Sequence, residues 1–236
     1  VEGFEYEPTI ATNYNFEYIL RFLRSKGYTK EVDYVVYRVK IFDEIPEFYQ
    51  KISDRVLARG KFSVVEFTKR KKLKPYILPI LRLMNETFND LYGYTALDEA
   101  EMASLAKQYL PVIDPRFVKV IAEDERVIAF ILGIPNMSEG IRRAKGRLFP
   151  FGIFKIMRAA KKTKQLDLLL AGIKQGYRGK GLDVLMGTAM MRSAKDGGFA
   201  HWDSHHELET NVKVRAEMER PGGELYKRYR VFQKKL

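Results

Sequence analysis

Cysteine is absent from the 236 residues. That excludes disulfides and thiolate metal sites and agrees with a reducing cytoplasm, the expected location. No apolar run is long enough to span a bilayer, and no secretory leader is read. Histidine is scarce, and His201, His205 and His206 crowd into one short segment. On a strand, His201 and His205 share a face while His206 points to the other, so only two of the three converge. A zinc site there would need Asp203 or other carboxylates to complete it, and no metal is expected. Acidic residues are also short, 30 against 42 basic ones, for a net charge of +12. Such a balance favours anionic partners: phosphorylated cofactors, nucleic acid or a membrane surface. A hydrophobic content of 46% and an aromatic content of 13% suffice for a real core. The length allows one large domain or about two small ones.

The most informative stretch is Gln175-Gly176-Tyr177-Arg178-Gly179-Lys180-Gly181-Leu182-Asp183. The apolar run 166–173 before it reads as a strand, and 182–194 after it as a helix. A glycine-rich turn into a helix leaves backbone N–H groups unpaired where the helix dipole also favours negative charge. Arg178 and Lys180 add two cations beside those donors. The turn is suited to a phosphate.

Along the chain, 13–26 has a helical stripe of Phe16, Ile19, Leu20 and Leu23, stopped by Gly27, and a tyrosine- and valine-rich strand follows at 32–39. Near the other end Asn211 opens a helix to about Arg220, Pro221-Gly222-Gly223 ends it, and 225–232 is again a strand. The order Asn, helix, glycine, strand therefore occurs twice. With Val1 as first residue, residues 1–44 read as the tail of a first copy and 45–61 as a linker helix. The alternative is that helix, glycine, strand is simply common in α/β proteins. From 62 on, the expected elements are a strand (62–68), a basic solvated turn (69–74), a helix from Pro75 to about Asp90 and a second from about Thr95 to Tyr109. A hairpin (117–122 and 127–134), a loop (135–146), an amphipathic basic segment (149–162) and the strand, glycine turn and helix come next. A strand at 200–207 precedes the closing helix and strand.

That order, with Arg178-Gly179-Lys180-Gly181-Leu182-Asp183 and the Asn at the start of the penultimate helix, resembles the GCN5-related N-acetyltransferase (GNAT) superfamily over residues 62–236. The ending 208–232 resembles that of uncharacterised bacterial proteins with two copies of the fold. The resemblance implies an α/β (α+β) fold with a mixed, mostly antiparallel central sheet flanked by helices. It also implies acetyl-CoA or another acyl-CoA as cofactor, and a small-molecule or peptide amine as acceptor. Cofactor contacts are expected from Ile173, Arg178, Gly179, Lys180, Gly181, Leu182, Asp183 and Asn211. The pantetheine arm is expected where the 166–173 strand splays from the 200–207 strand.

The sixth motif position in the family is Gly or Ala, and here it is Asp183. A carboxylate there repels a diphosphate, yet it also complements the helix N-terminus. Acyl transfer needs the amine deprotonated and the leaving thiolate protonated. The family's usual acid is a Tyr about eight residues after the Asn, and Glu219 stands there instead; Tyr226 is the nearest phenol. For a base, Glu207 and Glu209 sit at the end of one strand and Asp167 at the start of its partner; the alternative for each is an ordinary surface carboxylate. One of the histidines is expected to line the acceptor cleft.

Basic segments at 69–74 and around 149–162 admit a nucleic-acid reading, with Phe149, Phe151 and Phe154 for stacking. They also admit a membrane reading, with Phe151, Ile153, Phe154, Ile156 and Met157 in the interface. The favoured reading is a helix that packs its apolar side on the domain, and nucleic acid is not expected as a partner. A catalytically degenerate GNAT fold that binds a ligand or partner is the alternative to an enzyme. The sequence leaves the oligomeric state open.

Overall fold

A computed structural model describes residues 1–235. In chain order the elements are α1 (Glu17–Ser25), β1 (Thr29–Lys40), α2 (Glu47–Ala58), β2 (Ser63–Glu66), α3 (Arg70–Phe88) and α4 (Glu99–Tyr109). Then come β3 (Val118–Glu123), β4 (Arg126–Pro135), α5 (Ser138–Arg143), α6 (Gly152–Lys162), β5 (Gln165–Ile173) and α7 (Leu182–Asp196). β6 (His201–Asp203), β7 (Glu207–Leu208), α8 (Val212–Glu219) and β8 (Glu224–Gln233) close the described chain. The expected mixed, mostly antiparallel strand arrangement with flanking helices is present. Contacts divide the chain into two compact units whose bounds differ from the segments 1–44, 45–61 and 62–236. One comprises Val1–Ile41, Pro135–Asp167 and the chain from Phe199 on; the other comprises Phe42–Ile134 and Leu168–Gly198.

In the first unit β1 is central. One edge pairs antiparallel with β8, from Thr29↔Gln233 to Arg38↔Glu224. Its other edge pairs with β6 at Arg38↔Asp203 and with β7 at Val35↔Glu207. Covered on both edges, β1 is buried nearly continuously: Val35, Val36, Tyr37 and Val39 are all in the core. The repeated helix, glycine, strand order is realised, with Gly27 at φ 78° after α1 and Gly222 at φ 81° after α8.

The expected strand at 200–207 is broken. Ser204 accepts the Tyr37 N–H through Oγ at 2.9 Å, and His205 takes φ 59° while its N–H donates to Asp203 Oδ1 at 2.7 Å. Ser204 N–H still donates to Tyr37 O at 2.9 Å, but the positive φ of His205 breaks the strand, so the alternation of faces inferred for the histidines does not hold. The stretch 135–146 is not all loop, because Asn136 Oδ1 accepts from Ser138 N at 3.1 Å just as α5 begins.

In the second unit β2, β3 and β4 form an antiparallel meander, and β5 from Leu168 on lies beside β4. Asp124 and Glu125 turn the β3–β4 hairpin with φ of 47° and 66°. The basic run is not a turn: Arg70, Lys71 and Lys72 form the first turn of α3, and Pro75 and Pro79 lie within it. An internal proline costs a helix about 3 kcal/mol. Leu73, Ile80, Leu81, Leu83 and Met84 are buried from that helix, each contributing roughly 1.5–3 kcal/mol, and packing wins. α4 begins at Glu99 and not near Thr95, because its N-cap Asp98 and Glu101 form a reciprocal capping box at 2.8 and 2.9 Å. Among the described residues, no helix is long and apolar enough to cross a membrane.

Candidate functional site

The glycine turn belongs to the second unit. β5 ends at Ile173, a tight turn follows over Gln175–Tyr177, and α7 begins at Leu182. Gly179 and Gly181 hold φ of 74° and 83°, which side chains other than glycine rarely adopt. A Cβ on Gly181 would also stand 2.9 Å from Val56 Cγ2 of α2. One on Gly179 would meet nothing within 4 Å, so the backbone there faces open space.

The first N–H to bond back into α7 is that of Leu185, to Gly181 O at 3.1 Å. Among the described residues, the N–H groups of 179–184 have no protein acceptor. The dipole of a 15-residue helix adds to them. Arg178 folds its Nε onto the Ile173 carbonyl at 3.1 Å. Lys180 stands 4.6 Å from the ring centroid of Tyr177, whose hydroxyl donates to Glu123. Asp183, half-buried in the first turn of α7, accepts none of these N–H groups. The donor row is therefore open, and its chemistry fits a diphosphate.

The other expected residues belong to the first unit. Asn211 is the N-cap of α8, with Oδ1 3.4 Å from Val214 N. Glu207, opposite Val35 on β1, makes no ion pair among the described residues. Burial pushes its carboxyl up to about 8, and Glu217 adds to the rise. Glu209 is engaged instead: Lys30 donates to it, and Arg228 Nη1 does so at 2.5 Å. Next to it lies the fully buried Asp33, held well below the usual carboxylate range by hydrogen bonds from Arg230 at 2.7 and 2.8 Å and from Lys30.

Tyr226 is buried and donates its hydroxyl to Asp203, which also receives Lys227 Nζ at 3.3 Å. Burial, and then the Asp203 carboxylate, raise the phenol above its ordinary range. Asp167 is no surface carboxylate, for its side chain is fully buried. Burial first and neighbouring Asp203 second push its carboxyl to about 7, although Gln165 and Asn136 donate to it at 2.7 and 2.8 Å. Sequence reasoning missed this Asp167–Asp203–Tyr226–Lys227 group, which long-range contacts assemble; an Asp inside the apolar run 166–173 was the one local hint. His201 contacts Gln165 Oε1 at 3.1 Å, and His205 contacts Thr9 Oγ1 at 3.4 Å. His206 packs against Tyr229 with centroids 4.5 Å apart, and burial lowers its imidazole to about 4. Burial lowers the other two as well.

The structure thus gathers the phosphate-turn residues in one unit, and Asn211, Glu207, Glu209 and Tyr226 in the other. β5 and β6 pair in parallel only from Gln165↔His201 to Asp167↔Asp203, while β5 runs on to Ile173. The same architecture recurs in a GCN5-related N-acetyltransferase from Sphaerobacter thermophilus, with a TM-score of 0.58 and 14% identity over 97% of this chain and 58% of that one. The chain has the GNAT fold. A tandem GNAT protein of the clavulanic acid biosynthesis pathway gives a TM-score of 0.52 at 13% identity, covering 96% of this chain and 61% of that one. The glucosamine N-acetyltransferase region of a fungal multi-domain β-N-acetylglucosaminidase gives 0.56 at 13%, covering 91% and 22%.

No family model matches the sequence. Two curated relatives do match it along its whole length. "Bacterial ceramide synthase" of Caulobacter vibrioides is 29% identical over 242 residues, and "Protein YghO" of Escherichia coli is 24% identical over 246. This GNAT-fold chain spans 62% of the length of each.

Proposed function

We propose that this chain serves an acyl-CoA-dependent N-acyltransferase, with the 178–183 turn as the diphosphate site. The observation that carries the reading is the run of unpaired N–H groups at 179–184 on the N-terminus of α7, in a GNAT fold. Arg178 and Lys180 add charge, Gly179, Gly181, Leu182 and Asp183 supply backbone, and Ile173 and Asn211 are the remaining proposed cofactor contacts. Coenzyme A, when bound, supplies an activated thioester. Of the proposed bases, Glu207 is preferred to Glu209, because its carboxylate is not engaged by cations and its pKa of about 8 suits accepting a proton from an ammonium. For Tyr226 we propose proton donation, which would require release from Asp203.

The acceptor is a primary amine. The name of the Caulobacter relative supports a long-chain lipid amine acylated on nitrogen, since a ceramide is that product. Residues 1–44 are read as the ending of a GNAT-like copy, supported by the matching α1–Gly27–β1 and α8–Gly222–β8 orders.

Asp183 favours a second reading, a GNAT fold that binds a ligand or partner without catalysis. Calorimetry with acetyl-CoA and a long-chain acyl-CoA separates the two in part, and release of free coenzyme A thiol in the presence of a long-chain amine completes the separation. Saturable binding, weakened by Gly179→Val, is expected; no heat at millimolar ligand would remove the acyltransferase reading.

A further inference from the structure

Between residues 141 and 165 the chain carries nine Lys and Arg and no Asp or Glu. α6 uses one side against α5. A Cβ on Gly140 would stand 2.6 Å from Ile156 Cα and 2.8 Å from Ala159 Cβ, so the Ile156–Ala159 side is closely covered. Ile153 is half-buried, whereas Phe154 and Met157 are exposed, so the helix packs only part of its apolar side on the domain, contrary to expectation. Phe151, Phe154 and Met157 recur at helical spacing, Leu148 and Phe149 precede them, and all five are between 51% and 83% exposed. Beside them Lys145, Arg147, Arg158, Lys161 and Lys162 are exposed and make no ion pair among the described residues.

We propose that this face docks the protein on an anionic lipid surface. Rings and aliphatic tips would enter the boundary between headgroups and acyl chains, while the lysines and arginines meet lipid phosphates. Three observations select that occupant. The patch joins exposed apolar side chains to Lys145, Arg147, Arg158, Lys161 and Lys162, the composition an amphipathic helix presents to an anionic interface. Leu148 and Met157 have no flat ring to stack on an unpaired base, whereas all five apolar side chains can enter an apolar layer. A second copy of the same patch would bring like charges together without a carboxylate to offset them. The proposal does not depend on acyl-CoA binding at 178–183.

The test is co-sedimentation of the chain with vesicles of phosphatidylcholine alone and of phosphatidylcholine mixed with phosphatidylglycerol. Binding is expected to the mixed vesicles, with little to the neutral ones, and to weaken as salt rises. Phe151→Ser/Phe154→Ser/Met157→Ser and Arg158→Gln/Lys161→Gln/Lys162→Gln should each lower the partition coefficient by about tenfold or more. Because these side chains are exposed, both variants should melt like the parent. No binding to the mixed vesicles, equal binding to both kinds, or undiminished binding by the serine variant would overturn the proposal. So would concentration-dependent self-association that the serine variant abolishes while vesicle binding is absent, since a second copy would then be the occupant.

Discussion

Replacing Asp183 with Ala should tighten binding of acetyl-CoA. The carboxylate lies in the first turn of α7, half-buried, on the same backbone turn whose N–H groups are open. Two unit charges about 5 Å apart repel by ~0.8 kcal/mol in a fully aqueous setting and by ~3 kcal/mol at an effective dielectric of about 20. With solvent reaching part of the side chain, a gain of about 1–2 kcal/mol is expected, or roughly 5- to 30-fold in Kd. No capping bond is lost, because Asp183 accepts from no helix N–H. The cost to folding is therefore only the helix-dipole contribution, about 0.3–1 kcal/mol. Calorimetry at low and high salt, alongside denaturant unfolding, measures both quantities, and the affinity gain should shrink as salt screens the repulsion. Weaker binding by the Ala variant at low salt would refute the reasoning, because it would make Asp183 a contributor to the site.

Gly179→Ala and Gly181→Ala form a second test. Both positions have positive φ and should lose about 1 kcal/mol, but only at Gly181 does the new methyl group meet Val56. Chemical denaturation should therefore show the larger loss at 181. Glu207, whose carboxyl is raised to about 8, should give stability that is full below about pH 4 and declines as pH rises toward 8. Glu207→Gln should flatten that decline, and if Glu207 is the base it should also remove a rise in kcat/KM through pH 8. Asp33→Asn removes the carboxylate that pairs with Arg230 directly across β1 and β8. Breaking so buried a pair should cost about 2–4 kcal/mol in thermal or denaturant unfolding.

The parts of the fold that could be read from sequence are those with local causes. The apolar run at 166–173, two glycines and the stripe of α7 specify a strand, a turn and a helix within one short stretch, so the place of the turn in the fold could be named in advance. Asn211 was likewise legible, since an N-cap is a local preference. The basic run 69–74 has the solvated charge of a turn, yet Arg and Lys are good helix formers and Leu73 anchors them to the core. The break at His205 depends on Ser204 meeting Tyr37, far away in sequence. Pairing of β1 with β8 and burial of Asp167 beside Asp203 also arise from long-range contacts that no local pattern encodes. The lining of α6 shows the converse limit: amphipathic spacing was visible, but which apolar residues were covered depended on Gly140 of α5.

The proposed diphosphate site can be observed residue by residue by labelling glycine with nitrogen-15 and titrating in coenzyme A. The amide resonances of Gly179 and Gly181 should move in parallel and saturate, while that of Gly27, after α1 in the other unit, stays in place. Unmoved Gly179 and Gly181 amides at millimolar coenzyme A would contradict the assignment of this turn as the cofactor's anchor.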